Sequence, residues 1–246
     1  MTDDPFDWDS RVEAWEQVAA TPSFESLRDA VVEAARPSPE DRVLDLGAGT
    51  GLVTLALARR AQHVVALDIS NLMLERLCEH EATEGIDNVE HVQGDMRSLP
   101  FGDETFDLVV SNYAFHHLED PAKELALSEA RRVLTAGGRL VVCDMMFSLS
   151  FNKRDRRLLA RKLLAVARRG PAGLLRIARN TGRLATGNWE HPAPPETWER
   201  MLRDRHFDGV RVELLEQEAG LAVAWRPSPS RGRSGTQRVL TAEQHS

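Results

Sequence analysis

Cysteine, tyrosine and long apolar runs are all scarce in this sequence. The 246 residues include two cysteines, Cys78 in a helical pattern and Cys143 in an apolar strand pattern. Two isolated cysteines build neither a disulfide framework nor a zinc site, which suits a reducing compartment. No apolar run approaches the roughly 18 residues that span a bilayer. The first ten residues, MTDDPFDWDS, are acidic and lack an apolar stretch, so no secretory leader is expected and the chain reads as cytoplasmic. With 42% hydrophobic and 28% charged residues, the composition is that of a globular chain long enough for one sizeable α/β domain and little more.

Charge is distributed unevenly. The net charge is −7, yet eleven Lys/Arg lie between Lys153 and Arg183. Against them the 151–190 stretch sets Asp155 and Glu190, so it carries +9 and the remainder carries −16. An acidic body with one basic segment is a statement about partners.

Short β-branched runs alternate with longer helical patterns, which predicts βα units and a mostly parallel sheet. Arg42–Leu46, His63–Leu67, Val89–Gln93, Phe106–Ser111 and Arg139–Asp144 read as strands, with helices over Leu52–Arg60, Asn71–Glu84 and Ala122–Leu134. Gly137-Gly138 reads as the turn into the fifth strand. A helix over Pro195–Arg205 then precedes strand patterns at Val210–Leu215 and Leu221–Trp225, an antiparallel hairpin at the sheet edge. The expected division is a helical cap over 1–41, an α/β domain over 42–226 containing a basic helical insert over 148–190, and a tail over 227–246. The tail is rich in Ser, Gly and Arg and is expected to be disordered.

Three strand ends carry the chemistry. Val43-Leu44-Asp45-Leu46-Gly47-Ala48-Gly49-Thr50-Gly51 runs from an apolar strand into a helix through glycines at alternate positions. A dinucleotide loop prefers G-x-G-x-x-G, with the diphosphate over a helix N-terminus. Here Leu52 stands where the last glycine of that pattern belongs, which favours a ligand without a diphosphate; a tight turn holding no ligand is the plainer alternative. Asp68, ending the second strand seventeen residues after Gly51, can accept both ribose hydroxyls of an adenosine. It could instead cap the next helix, although Ser70 or Asn71 could do so too. Asp95 and Met96, after the third strand, are placed to accept from an adenine amino group and to wall it. Polar groups at three successive strand ends occupy the edge where open α/β sheets bind ligands.

In order and spacing, VLDLGAGTG, ALDIS, GDMRSLPF, FDLVVSNYAFHHL and RRVLTAGGRLVVCD resemble the motifs of small-molecule class I S-adenosylmethionine-dependent methyltransferases. Within these the chain looks most like the ubiquinone/menaquinone-biosynthesis C-methyltransferases and the broad type 11 family around them, over about Arg42 to Asp144. The resemblance implies a Rossmann-like, doubly wound, seven-stranded and mostly parallel sheet with its last strand antiparallel, plus a helical N-terminal cap and a helical lid insert. It implies S-adenosyl-L-methionine as cofactor and S-adenosyl-L-homocysteine as product. Gly47, Ala48, Gly49 and Gly51 would shape the cofactor loop, Asp68 and Ile69 hold the ribose, and Asp95 and Met96 flank the adenine. Asp45 would order the methionine end, and Ser111 would lie where the fourth strand opens onto the methyl group.

A sulfonium is already a strong electrophile, so such an enzyme mainly aligns a nucleophile with the methyl carbon. A general base is needed only where the acceptor must lose a proton. His116 and His117, just past the fourth strand, are the base candidates, His116 ahead; a structural hydrogen-bonding role is the alternative for either. Ser111-Asn112-Tyr113-Ala114 differs from the Asn/Asp-Pro-Pro-aromatic motif for exocyclic amines and glutamine amides. Neither cysteine lies in that loop to form a covalent cytosine adduct. Asp144 ends the fifth strand without a partner carboxylate after the fourth, so no metal site is expected.

In the basic insert, Arg154, Arg157, Arg161 and Arg168 share one helical face while Leu159, Leu163 and Val166 share another. Its apolar side packing on the domain, with the arginines solvated, is one reading. The others are an anionic small-molecule acceptor, an anionic membrane surface contacted through 151–187 that delivers a lipid-like acceptor, or RNA. RNA has the least support, because no aromatic residues interleave with the arginines. A nicotinamide dehydrogenase is disfavoured by the glycine spacing and by His117, rather than lysine, four residues after the single tyrosine, Tyr113. A non-catalytic S-adenosylmethionine-binding protein remains an alternative.

Overall fold

The structure, a computed structural model, describes residues 7–147, 190–215 and 219–228. Seven strands form one sheet: β1 (Arg42–Leu46), β2 (His63–Asp68), β3 (Val89–Gln93), β4 (Phe106–Asn112), β5 (Leu134–Met145), β6 (Asp208–Leu214) and β7 (Ala219–Trp225). Their order is β3-β2-β1-β4-β5-β7-β6. Strands β1 to β5 pair in parallel, whereas β7 runs antiparallel to both β5 and β6. The fold is therefore the Rossmann-like sheet expected, with its last strand antiparallel. The hairpin is turned relative to a simple edge addition: β7 lies inside the sheet and β6 forms its edge. Small residues suit β7 to that interior place, and a Cβ at Gly220 would lie 2.6 Å from the Met146 sulfur.

Parallel strands covered on both faces read as continuous apolar runs, and β1 is buried from Val43 to Leu46. Alternation along the strands feeds two cores. Leu44, Leu46, Val109 and Val142 pack with Ala126, Leu127 and Ala130 of α5 (Asp120–Val133) and with Trp198, Met201 and Leu202 of α6 (Pro195–Asp204). Val43, Val64, Leu108, Val110 and Val141 pack with Val31 and Val32 of α2 (Pro22–Ala35) and with Leu57 of α3 (Thr54–Ala58). Before these come a 3-10 turn (Asp9–Arg11) and α1 (Val12–Ala19); α4 (Asn71–Glu84) covers the β2–β3 side.

Two boundaries depart from expectation. The helix after β1 spans Thr54–Ala58 rather than Leu52–Arg60, because the glycine loop consumes its first residues. Gly137-Gly138 lies within β5 instead of preceding it: Gly137 donates to Arg226 O at 3.0 Å and Arg226 donates to Gly138 O at 2.8 Å. The ladder with β4 absorbs the irregularity as a register shift between Phe106 and Leu108. The basic insert and most of the tail lie outside the described residues.

Candidate functional site

The chain runs outward from β1 through β2 to β3, then returns across β1 to place β4 on its other side. At such a reversal the loops after the two central strands diverge and leave a crevice at the carboxyl ends of the strands. The loop after β1 is Gly47 to Gly51, in which Gly47, Gly49 and Gly51 have φ of +72°, +55° and +95°. The backbone N–H groups of Gly47 and Ala48 donate to Leu67 O at 2.8 and 3.1 Å, tying the loop to the end of β2. At Gly47 both conformation and space demand glycine, since a Cβ would lie 2.5 Å from the Ala114 Cβ in the loop after β4. The Met96 methyl stands 3.5 Å from the same point. Three of the predicted strand-end loops thus converge on Gly47.

Asp68 closes this loop. Its carboxylate accepts from Gly49 N at 2.8 Å and from Ser70 N at 2.9 Å. Ser70 itself caps α4, accepting from Met73 N at 3.1 Å, so Asp68 does not serve as the helix cap. Ile69 is half-buried beside it, and its carbonyl accepts from Gln93 Nε2 at 3.1 Å. Asp45 is buried and accepts from Thr54 Oγ1 at 2.7 Å. Burial pushes its carboxyl up to about 7, opposed by the Thr54 hydrogen bond and reinforced by the negative Asp68.

Two predicted contacts are already engaged within the protein. Asp95 accepts from Arg97 N and Nε, an ion pair absent from the sequence reading. Its partial burial would raise the carboxyl, but the Arg97 hydrogen bonds outweigh this and hold it below its ordinary range. Ser111 is fully buried, and its hydroxyl donates to Leu46 O at 2.7 Å, joining β4 to β1.

Past β4, Tyr113 adopts a left-handed φ of +56°, and the chain enters a short 3-10 turn, Phe115–His117. His116 is buried and doubly held by Asp144 at the end of β5. Its backbone N–H donates to Oδ2 at 2.9 Å and its ring Nδ1 lies 2.6 Å from Oδ1. A carboxylate can only accept, so Nδ1 carries the hydrogen and Nε2 keeps its lone pair in the neutral ring. Burial alone would depress the imidazole; Asp144, helped by Glu190 and opposed by Lys123, raises it above its ordinary value. His117 is pushed down to about 2 by burial and by the charges of His116 and Arg11. Its ring packs 4.4 Å from Trp8 and 3.9 Å from His116.

Against known proteins, residues 43–138 match the methyltransferase domain family. That stretch runs from β1 into β5. Over 117 residues it is 42% identical to a demethylmenaquinone methyltransferase of Clavibacter sepedonicus, covering 48% of this chain and 46% of that protein. An uncharacterized methyltransferase of Bacillus subtilis, YcgJ, is 37% identical over 114 residues, 46% of this chain and 44% of that protein. The chain thus spans about half the length of the curated relatives it matches. A SAM-dependent methyltransferase from Aquifex aeolicus superposes with a TM-score of 0.62 at 20% identity, over 90% of this chain and 99% of that one, a likeness of fold.

Around the crevice stand residues whose roles the sequence motifs do not announce. In the sequence Asp144 bears only on a metal site, and its pairing with His116 depends on β4 and β5 being neighbours. Lys123 is completely buried; its ammonium donates to Asp120 Oδ1 at 2.8 Å and to His191 O at 2.6 Å. His191 N in turn donates to His116 O at 2.6 Å, so the returning chain at 190–194 is fastened to the His116 loop. On the other side the N-terminal segment lies along the crevice. Asp9 accepts from Ser70 Oγ at 2.6 Å, Glu16 pairs with Arg76 at 3.1 Å, and Trp15 reaches Gly49.

Proposed function

We propose that this domain transfers a methyl group from S-adenosyl-L-methionine to a small-molecule acceptor that must lose a proton. The observation that carries the cofactor half is the closed unit of glycine loop and Asp68. Leu52 stands where a dinucleotide loop keeps its last glycine, and the acid at the end of β2 supplies carboxylate oxygens of the kind that accept ribose hydroxyls. The residues fit such a ligand: backbone approaches closely at Gly47, Asp68 offers acceptors, and Met96 offers an apolar wall. Bound there, the cofactor supplies an electrophilic methyl carbon on sulfur.

What the chain's own residues contribute is alignment and proton removal. His116, locked in one tautomer by Asp144, presents Nε2 as a base for the acceptor's acidic hydroxyl or amine; such a base contributes typically about 10²–10⁴-fold. His117, held neutral, serves as packing between Trp8 and His116. The relatives named for demethylmenaquinone methylation favour a small, lipid-like acceptor, and the basic stretch suits an anionic one or an anionic membrane surface that presents it. A cap over 1–41 belongs to this reading; the insert over 148–190 lies, but for its last residue, outside the described residues.

Isothermal titration calorimetry with S-adenosylmethionine, S-adenosylhomocysteine and NAD(H) tests the cofactor. Both adenosyl compounds should bind and NAD(H) should not; binding of NAD(H) alone would sink the proposal. Asp68→Ala should weaken S-adenosylhomocysteine roughly ten- to a hundredfold, the value of hydrogen bonds to a charged acceptor. Unchanged affinity would remove Asp68 from the ribose site.

A further inference from the structure

Lys123 is completely buried in the first turn of α5. Both circumstances disfavour a cation: an ammonium loses its hydration, and the start of a helix is the positive end of its dipole. Its carboxylate partner offsets little of this, because the Asp120 side chain is 55% exposed and shares its charge with water. An apolar side chain of the same length would avoid both costs. Methionine could not, however, donate to His191 O, the acceptor that lies 2.6 Å from the ammonium. What that bond holds accounts for the buried charge.

His191 N donates to His116 O at 2.6 Å, and His116 N donates to Asp144 Oδ2 at 2.9 Å. One run of bonds thus joins α5, residue 191, the 3-10 turn and the end of β5. The chain that follows has its own anchor, since Ala193 is buried and Trp198 packs against Phe115 with ring centroids 5.5 Å apart. Lys123 therefore acts on the stretch before that anchor, which carries Glu190. Burial lowers the His116 imidazole, while Asp144 and then Glu190 raise it, against Lys123. The other groups at the ring are Tyr113, with centroids 5.6 Å apart, and His117 at 3.9 Å, which feels the charge of Arg11.

We infer that Lys123 is a positioning residue: through His191 it clamps the returning chain onto the His116 turn and keeps the Glu190 carboxylate in electrostatic contact with the ring. The ammonium opposes protonation of His116 by its own charge, yet it secures a carboxylate that favours it. The value of the clamp to methyl transfer rests on His116 being the base, as proposed above. The clamp itself rests on the bonds from Lys123 to His191 and from His191 to His116.

The His116 titration midpoint is followed by histidine ring NMR on the full chain, with no acceptor present, in wild type, Glu190→Gln, Lys123→Met and the double variant. Glu190→Gln should lower the midpoint in the wild-type background and leave it unmoved in Lys123→Met, where the carboxylate has already been released. The direct effect of the Lys123 charge is common to both members of each pair and cancels. An equal fall in both backgrounds would overturn the inference, as would no fall in wild type. His191→Pro removes the N–H that bonds His116 O and leaves Lys123 in place, so it decides the matter should Lys123→Met not fold. There too Glu190→Gln should have no effect, and an undiminished fall would overturn the clamp. Once an acceptor is in hand, the acid limb of the rate profile should follow the NMR midpoint across these proteins. A limb that stays put while the midpoint moves would remove His116 as the base and leave the clamp standing.

Discussion

Replacing Asp45 by asparagine should remove a pH-dependent cost from folding. The Asp45 carboxyl is buried beside Thr54 and near Asp68, and it holds its proton up to about pH 7, against 3.8 for an ordinary aspartate. Between these values the native state binds more protons than the unfolded chain, so stability falls as pH rises through the window. At 1.36 kcal/mol per unit the whole penalty is roughly 4 kcal/mol, and roughly 2 kcal/mol of it falls between about pH 5.5 and pH 8.5. Thr54 can still donate to the asparagine carbonyl, so that contact is common to both proteins. Urea unfolding of wild type and Asp45→Asn at the two pH values isolates the ionisation. Relative to wild type, Asp45→Asn should gain roughly 2 kcal/mol on going from about pH 5.5 to about pH 8.5. A difference that stays constant would mean that Asp45 is ionised at both pH values, and would refute the burial reasoning.

The remaining predictions concern the loops that meet at the crevice. Gly47→Ala should destabilise the domain by about 1–2 kcal/mol from the left-handed backbone, with a further cost from the overlap with Ala114. Pairing it with Ala114→Gly should recover the overlap part alone; full recovery in thermal unfolding would contradict the backbone part. Asp144→Asn removes the carboxylate that raises His116, so the His116 titration midpoint, followed by histidine ring NMR without any acceptor, should move down. With an acceptor in hand, the acid limb of the rate profile should move the same way. An unmoved midpoint would mean that the pair does not govern this histidine.

Most strand positions were legible because parallel strands must bury both faces and so write unbroken apolar runs, as in Val43–Leu46 and Val64–Leu67. The glycine loop and Asp68 were legible for a different reason: a turn with left-handed φ at alternate positions admits few side chains, so the pattern survives in one dimension. Gly137-Gly138 misled because glycine marks a ladder irregularity as readily as a turn, and only the β4 register separates the two. The placement of β7 inside the sheet depends on which strand docks against β5, a contact between residues some eighty positions apart.

The residues of the site divide in the same way. Gly47, Asp68, Met96 and His116 each stand at a strand end and could be named from sequence, since the fold brings all strand ends of a parallel sheet to one edge. Their partners could not. Arg97 on Asp95 could have been suspected from a spacing of two, but Asp144 on His116 spans twenty-eight residues and Lys123 on His191 spans sixty-eight. Trp15 over Gly49 joins segments on opposite sides of β1. Local pattern decides which residues reach the crevice, because backbone conformation and face alternation are local. Which charge is paired and which proton is held are decided by packing between distant segments, and only the tertiary structure shows them.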